Sequence, residues 1–536
     1  MEISGNIVDI HRRKIFHGVI TVKDCIITSI KEKKGDSPNY ILPGLVDAHI
    51  HIESSMLTPS AFARLAVVHG TVATVSDPHE IANVLGINGV EYMIANGNSV
   101  PFKFYFGAPS CVPATGFETS GATLNEAEID YLLQKPEIKY LAEMMNFPGV
   151  IYDDKAVHAK LRCAEKHGKP IDGHAPGLRG EDLKKYVKAG ISTDHECMTI
   201  EEALDKLQWG MKILIREGSA AKNFDTLLPL LKTNKDDIMF CSDDKHPDDL
   251  IEGHINQLVQ RALRAGYDIF DVLQVTCTNP VEHYNLETGL LRVGDAADFI
   301  VVDDLKKFNV LATYINGKKV AEKGKPLFPS VSVTKPNAFK AKRKKRSDFQ
   351  VPAKKEELQV IEVIDGELFT KTYHAMPKIF ENKIVPDLDE DILKITVINR
   401  YQNTKPAIAF IKNFGFKRGA IASSVAHDSH NIIAVGTSDE LLTKAVNLVI
   451  KHKGGIVATD GKNTKVLPLP IAGLMTDEDG VKTGNQYRNM NYFVRQNLGS
   501  PLKAPFMTLS FMALLVIPEI KLSDKGLFNG TKFELI

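Results

Sequence analysis

The chain has 536 residues, too many for one ordinary domain, so two to four are expected. Hydrophobic residues make up 43% and charged residues 25%, the balance of a globular protein able to bury a large core. Lys+Arg and Asp+Glu both number 66, which excludes a whole-chain electrostatic pull toward nucleic acid or membrane.

Six scattered cysteines (Cys25, Cys111, Cys163, Cys197, Cys241, Cys277) form no CxxC pair. That argues against a disulfide framework or a thiolate zinc site and fits a reducing cytoplasm. The PCxxC pair of the cytidine-deaminase type of zinc site is also missing. Met1–Ile10 alternates like a strand, so no signal peptide is expected. The most apolar run, Pro505–Pro518, is too short for a bilayer of about 30 Å. A cytoplasmic location is expected.

In chain order, residues 1–42 read as short strands at Gly5–Ile10, Ile15–Val22 and Cys25–Ile30. This piece is too small for a core of its own. Its expected partner is 286–334, where Leu291–Asp303 and Thr313–Val320 supply further strands and Asn316-Gly317 a hairpin turn. Residues 43–285 alternate strand and amphipathic helix, the order of a parallel α/β sheet. The strands are Leu45–Ile50, Thr71–Ser76, Phe102–Gly107, Tyr140–Glu143, Pro170–His174, Ile191–His195, Met211–Arg216 and Ile238–Ser242. Eight strands over such a span suit a (β/α)8 barrel. The helices expected between them include Ala156–His167, Gly180–Ala189 and Thr199–Leu207. Residues 335–358 hold the basic run Lys340–Arg346 and read as a solvated linker, not a nucleic-acid arm. Residues 359–536 read as an α+β domain, with a helix at Ser438–Lys453 capped by Ser438 and stopped at Gly454-Gly455. In it, His427–Asn431 and Leu467–Gly473 invite a functional reading.

The chemistry begins at His49 and His51. On a strand, side chains two apart share a face, so the two imidazoles form a chelating pair. Glu143, His174, His195 and Asp243 each stand where a later strand gives way to a loop. Imidazole and carboxylate ligands without thiolate suit Mn, Fe or Zn. Six ligands are best shared by two metals, bridged by a carboxylate and holding a hydroxide between them. Asp243 is the candidate general base. Asp244 is expected to point away, to the surface or behind the ligands. Glu53, Asp77, His79, Glu80 and Glu196, just past strand ends, are candidates to bind substrate or orient ligands. Ser54-Ser55 lacks a nucleophile elbow. The rigid loop Gly107–Pro113 is a candidate pocket wall.

Pro43–Pro59 (PGLVDAHIHIESSMLTP), Ser76–Val84 (SDPHEIANV), Gly173–Gly177 (GHAPG), Asp194–Glu196 (DHE), Cys241–Asp244 (CSDD) and Leu467–Gly473 (LPLPIAG) together resemble the adenine deaminases of the amidohydrolase superfamily. HxH alone is common to the superfamily, whereas HIESSM and SDPHE are far more specific. The resemblance implies a barrel with a small β-domain from both flanks, a binuclear site loaded with Mn or Fe, and Glu143 where many relatives place a carboxylated lysine. It also implies hydrolysis of adenine to hypoxanthine and ammonia in purine salvage. The expected partner is this small molecule and no membrane or nucleic acid, in a homo-oligomer, a dimer first. A dihydropyrimidinase-like hydrolase of cyclic amides and a non-catalytic ligand-binding barrel are the competing readings.

Overall fold

The computed structural model describes all residues from 1 to 536. Strands β1 (Glu2–Asp9), β2 (Lys14–Lys23), β3 (Ile26–Glu32) and β4 (Tyr40–Pro43) open the chain. Along β2, Phe16, Gly18, Ile20 and Val22 turn inward while the residues between them are partly exposed. This period of two marks a half-buried sheet.

Eight strands then form the barrel: β5 (Leu45–Ile50), β6 (Thr71–Ser76), β7 (Lys103–Ala108), β8 (Ile138–Met144), β9 (Ile171–Gly173), β10 (Thr193–Asp194), β11 (Lys212–Arg216) and β12 (Ile238–Cys241). Strands β5 to β9 pair in order and in parallel, as do β10 to β12. Bridges between Ile171 and Ile191 and between Ile50 and Asp243 join the two runs and close the ring. Every residue of β5, β6 and β12 is buried, as parallel strands covered on both faces require. The closing seam is pinned by Asp47, fully buried, which accepts from the Ser242 backbone N–H at 3.0 Å and from the Ser242 hydroxyl, and lies 2.8 Å from His254 Nε2.

The surrounding helices include Lys155–Lys166, Gly180–Lys188 and Ile200–Gln208, each within two residues of expectation. Asp154 and Thr199 cap two of them through their side chains. Three strands end sooner than the sequence suggests. β9, β10 and β12 stop at Gly173, Asp194 and Cys241, so His174, His195 and Asp243 stand on the loops just beyond.

After the barrel, β13 (Phe299–Val302), β14 (Val310–Ile315), β15 (Lys318–Glu322) and β16 (Lys325–Pro326) return to the first four strands. β13 pairs with β4, giving one eight-stranded sheet drawn from both flanks. Its outer face has a separate core of 11 buried residues.

The C-terminal α+β domain is built on a second eight-stranded sheet, at whose centre Ile392–Ile398 lies between Ala407–Lys412 and Ile432–Gly436. The helix Asp439–His452 covers one face, with Ser438 accepting from the Leu441 backbone N–H and Lys453 turning left-handed at the stop. The basic segment 335–358 is anchored rather than free. Phe349 is fully buried in the core beneath this helix, and Lys344 Nζ donates to the Thr404 carbonyl.

The main core is continuous: 127 buried residues run from the barrel through the inner face of the C-terminal sheet. The C-terminal domain therefore sits on the barrel as part of one packed body, over the mouth where the strands end. No helix is long and apolar enough to cross a membrane.

Candidate active site

Six of the sequence-predicted side chains converge at the C-terminal end of the barrel. His49 and His51 leave the end of β5 with their Nε2 atoms 3.2 Å apart. Glu143, near the end of β8, directs its two oxygens to different histidines. Oε2 is 3.1 Å from both His174 Nδ1 and His195 Nε2, and Oε1 is 3.4 Å from His51 Nε2. Asp243 Oδ1 lies 3.3 Å from His51 and 3.8 Å from His49. All six are nearly or fully buried.

Local structure explains the convergence. A side chain at Gly173 would meet the Thr193 carbonyl oxygen at 2.3 Å, so glycine lets β9 and β10 approach and brings His174 beside His195. The His174 backbone N–H donates to Tyr186 Oη, which donates to the Met144 carbonyl, tying the ends of β8 and β9 together. The loop Gly107–Pro113 is no pocket wall. Its Ser110 hydroxyl donates to the Glu143 carbonyl at 2.6 Å and holds that residue from behind.

Whether cations fit follows from His51. Its Nδ1 lies 3.2 Å from the Asp77 carbonyl oxygen and must donate to it. In the neutral ring Nε2 is then a lone pair, facing His49 Nε2, Glu143 Oε1 and Asp243 Oδ1. A buried acceptor among acceptors needs a proton or a cation between them. Burial opposes a proton on His51, but the hydrogen bond to Asp243 and the charge of Glu143 outweigh it and raise its affinity for one. Burial likewise disfavours charge on Glu143 and Asp243. Hydrogen bonds from His174 and His195 for the first, and the Arg216 charge for the second, hold both carboxyls well below their usual range. The donor set fits divalent cations.

The substrate candidates divide. His79, Glu80 and Glu196 line the pocket; Glu53 and Asp77 stand behind it. Glu53 accepts from the Ile81 backbone N–H, and Asp77 from that of His79, so both place the helix His79–Leu85. Burial pushes the Glu53 carboxyl up to about 7. Glu80 is raised well above the usual range by burial, then by Asp244 and Glu53. Asp244 does not point away. The strand has ended at Cys241, and Asp243 takes a left-handed φ of 53°, so both aspartates reach the pocket. Asp244 accepts from the Ser54 hydroxyl, whose oxygen also lies 3.0 Å from Glu80 Oε1, and this engages the serine with both carboxyl groups.

Sequence reasoning missed Arg216. It ends β11 and forks onto Glu196 at 2.5 and 2.9 Å, while its Nη1 also reaches Asp243 Oδ2 at 2.6 Å. A charged residue closing a barrel strand was the available signal. The C-terminal domain supplies the rest of the pocket: Leu368, His427, Asp428, Met507, Phe511 and Leu514. The His427 ring stacks on Phe511 with centroids 4.9 Å apart, and its Nδ1 lies 3.3 Å from Glu80 Oε1. Leu467–Gly473 lies outside the pocket. It is packing and scaffold, with the Ala472 carbonyl accepting from Arg400 and that of Gly473 from Ser424.

The closed eight-stranded barrel carries imidazole and carboxylate side chains at its strand ends, and residues 40–320 match the profile of the amidohydrolase family, which makes the chain a hydrolase of that class. Residues 367–534 match the profile of the adenine deaminase C-terminal domain. Over 100% of this chain and 99% of the relative, the sequence is 58% identical to an adenine deaminase of Sulfurovum sp. (strain NBC37-1). It is 54% identical to one of Salinibacter ruber, over 100% of this chain and 98% of that protein. An adenine deaminase of Methanosarcina mazei is 53% identical over 99% and 98% of the two chains. The chain belongs to the adenine deaminase family. Membership of the amidohydrolases implies divalent metal ions, for which clusters of buried His, Asp and Glu are present.

Proposed function

We propose that this protein hydrolyses adenine to hypoxanthine and ammonia, as a step of purine salvage. The observation that carries the reading is Glu143, whose two oxygens each face separate imidazoles, beneath a pocket closed by the domain that matches the adenine deaminase profile. His49, His51 and Asp243 would hold one cation and His174 and His195 a second, with Glu143 between them. Mn or Fe is favoured and Zn also suits the donors. Two such cations supply positive charge at the reacting carbon and acidify water there.

The chain's own groups supply the proton transfers. Arg216 fixes Asp243 Oδ2, so Oδ1, the oxygen on the histidine side, would both face the cation and take a proton from the attacking water and return it to the departing amine. Burial and then the neighbouring carboxylates Asp244 and Glu53 raise the Glu80 carboxyl well above its usual range, which suits it, facing the pocket, to donate to a purine ring nitrogen. His79 lies beside it, its Nδ1 3.5 Å from Glu143. Glu196 is held by Arg216 and supports His174 and His195 at 3.4 Å, a positioning role. Phe511, Met507 and Leu514 give the flat apolar wall that an aromatic base needs.

The test is ammonia release from adenine, adenosine, cytosine, guanine and hydantoin by enzyme supplied with Mn or Fe. Adenine is expected to be preferred over adenosine by at least about a hundredfold. Preference for hydantoin would move the protein to the cyclic-amide hydrolases. Asp243→Asn is expected to lower turnover by about two to four powers of ten, with a smaller effect on bound metal. A homodimer in the cytoplasm belongs to the same proposal, tested by light scattering and cell fractionation.

A further inference from the structure

Asp428 belongs to the C-terminal sheet's loop at 427–431, yet it lines the pocket beside the barrel residues. It is 3% exposed. Its Oδ1 lies 3.7 Å from His79 Nε2, beyond a good hydrogen bond, and its Oδ2 is buried with no partner at all. A buried carboxylate oxygen without a donor is costly and is expected to find one when the pocket fills. The loop is anchored by other residues: the Ser429 carbonyl accepts from Tyr401, and Asn431 ties the loop to the Thr119 carbonyl.

The position suggests which donor. His79 stands between Asp428 and the ligand cluster, with Nε2 toward Asp428 and Nδ1 3.5 Å from Glu143. A planar ring lying beside His79 therefore has one end at the cluster and the other at Asp428. Free adenine offers N–H groups at only two places, the exocyclic amine and the imidazole ring, since its other ring nitrogens are acceptors. The amine must lie at the cluster, where it leaves. An ionised carboxylate accepts only. The remaining match is the imidazole N–H, the atom that carries the sugar in a nucleoside.

Resting on the deaminase reading above, we propose that Asp428 accepts the imidazole N–H of the purine, so that the C-terminal domain selects free base over nucleoside. A site built to pair a substrate N–H rejects the analogue lacking it by large factors, because its own polar group is left unpaired.

The experiment compares adenine with 9-methyladenine and 7-methyladenine, which lack the imidazole N–H, in wild type, Asp428→Ala and Asp428→Val. Metal content and thermal midpoint are measured for each. The wild type is expected to favour adenine by about a hundredfold or more in kcat/KM. In Asp428→Ala the adenine value should fall by a similar factor, chiefly through KM, while the methylated bases change by less than about threefold. The preference then collapses. Asp428→Val fills most of the same space but offers no acceptor, so it should fold as the wild type does and lose most of the preference. A parallel fall for all three bases through kcat would overturn the proposal and make Asp428 a positioning residue for His79. An unchanged preference in either folded variant would overturn it outright. Failure of the wild type to release ammonia from adenine would instead refute the deaminase reading, and this proposal with it.

Discussion

Replacing Arg216 by lysine keeps a cation at the end of β11 but removes the planar fork. Arg216 makes three short bonds, two to Glu196 and one to Asp243, and all three side chains are 2 to 7% exposed. A single ammonium cannot hold both carboxylates in these orientations. Losing one charge-assisted bond costs about 1.5–3 kcal/mol. With about 1.4 kcal/mol per tenfold, kcat should fall roughly 10- to 150-fold if the lost bond is the one that fixes Asp243. Arg216→Met also strands two buried carboxylates, and stability should drop by about 3–5 kcal/mol. The assay is steady-state ammonia release with bound metal quantified in the same samples and urea unfolding followed in parallel. A kcat within threefold of wild type in Arg216→Met would refute the claim that Arg216 positions the base.

Glu143→Gln keeps the shape between the two histidine groups but removes its charge. It should lower bound metal to one equivalent or fewer with the fold intact, read by elemental analysis and circular dichroism. Lys206, fully buried, joins Asp194 and Glu202 at 2.9 Å each and donates to the Ala175 carbonyl behind His174. Lys206→Met should cost about 3–5 kcal/mol in urea unfolding, since it leaves Asp194 buried without its partner. A fragment ending at Thr334 should be inactive and prone to aggregate, because it exposes the barrel side of a core that continues into the C-terminal sheet. Full activity of a soluble fragment would show that the C-terminal domain is dispensable.

The barrel was legible because each strand is a short apolar run closed by a loop, and because the ligands fall at those closures. The ends of β9, β10 and β12 were misjudged by one residue, since a ladder's last pairing depends on the neighbouring strand and not on local composition. That error turned Asp244 away from the pocket, whereas the left-handed turn at Asp243 brings it in. The barrel's half of the pocket could be read as charges at strand ends, and Arg216 obeys the same rule although it was passed over. The other half could not. His427–Asn431 invited a functional reading but named no partner or chemistry, and Phe511 lay in an apolar run that showed only as too short for a bilayer. What makes them a site is the docking of two domains through one core, a relation between residues hundreds of positions apart. Leu467–Gly473 misled in the opposite sense: rigidity in sequence marked a scaffold segment.

The most direct measurement is diffraction from crystals of the Mn-loaded protein soaked with hypoxanthine, with anomalous data at the Mn edge. The account predicts two anomalous peaks flanking the Glu143 carboxylate, and a planar density between His79 and Phe511 whose far end meets Asp428. A single peak away from Glu143, or hypoxanthine bound outside the pocket shared by the barrel and the C-terminal domain, would contradict it.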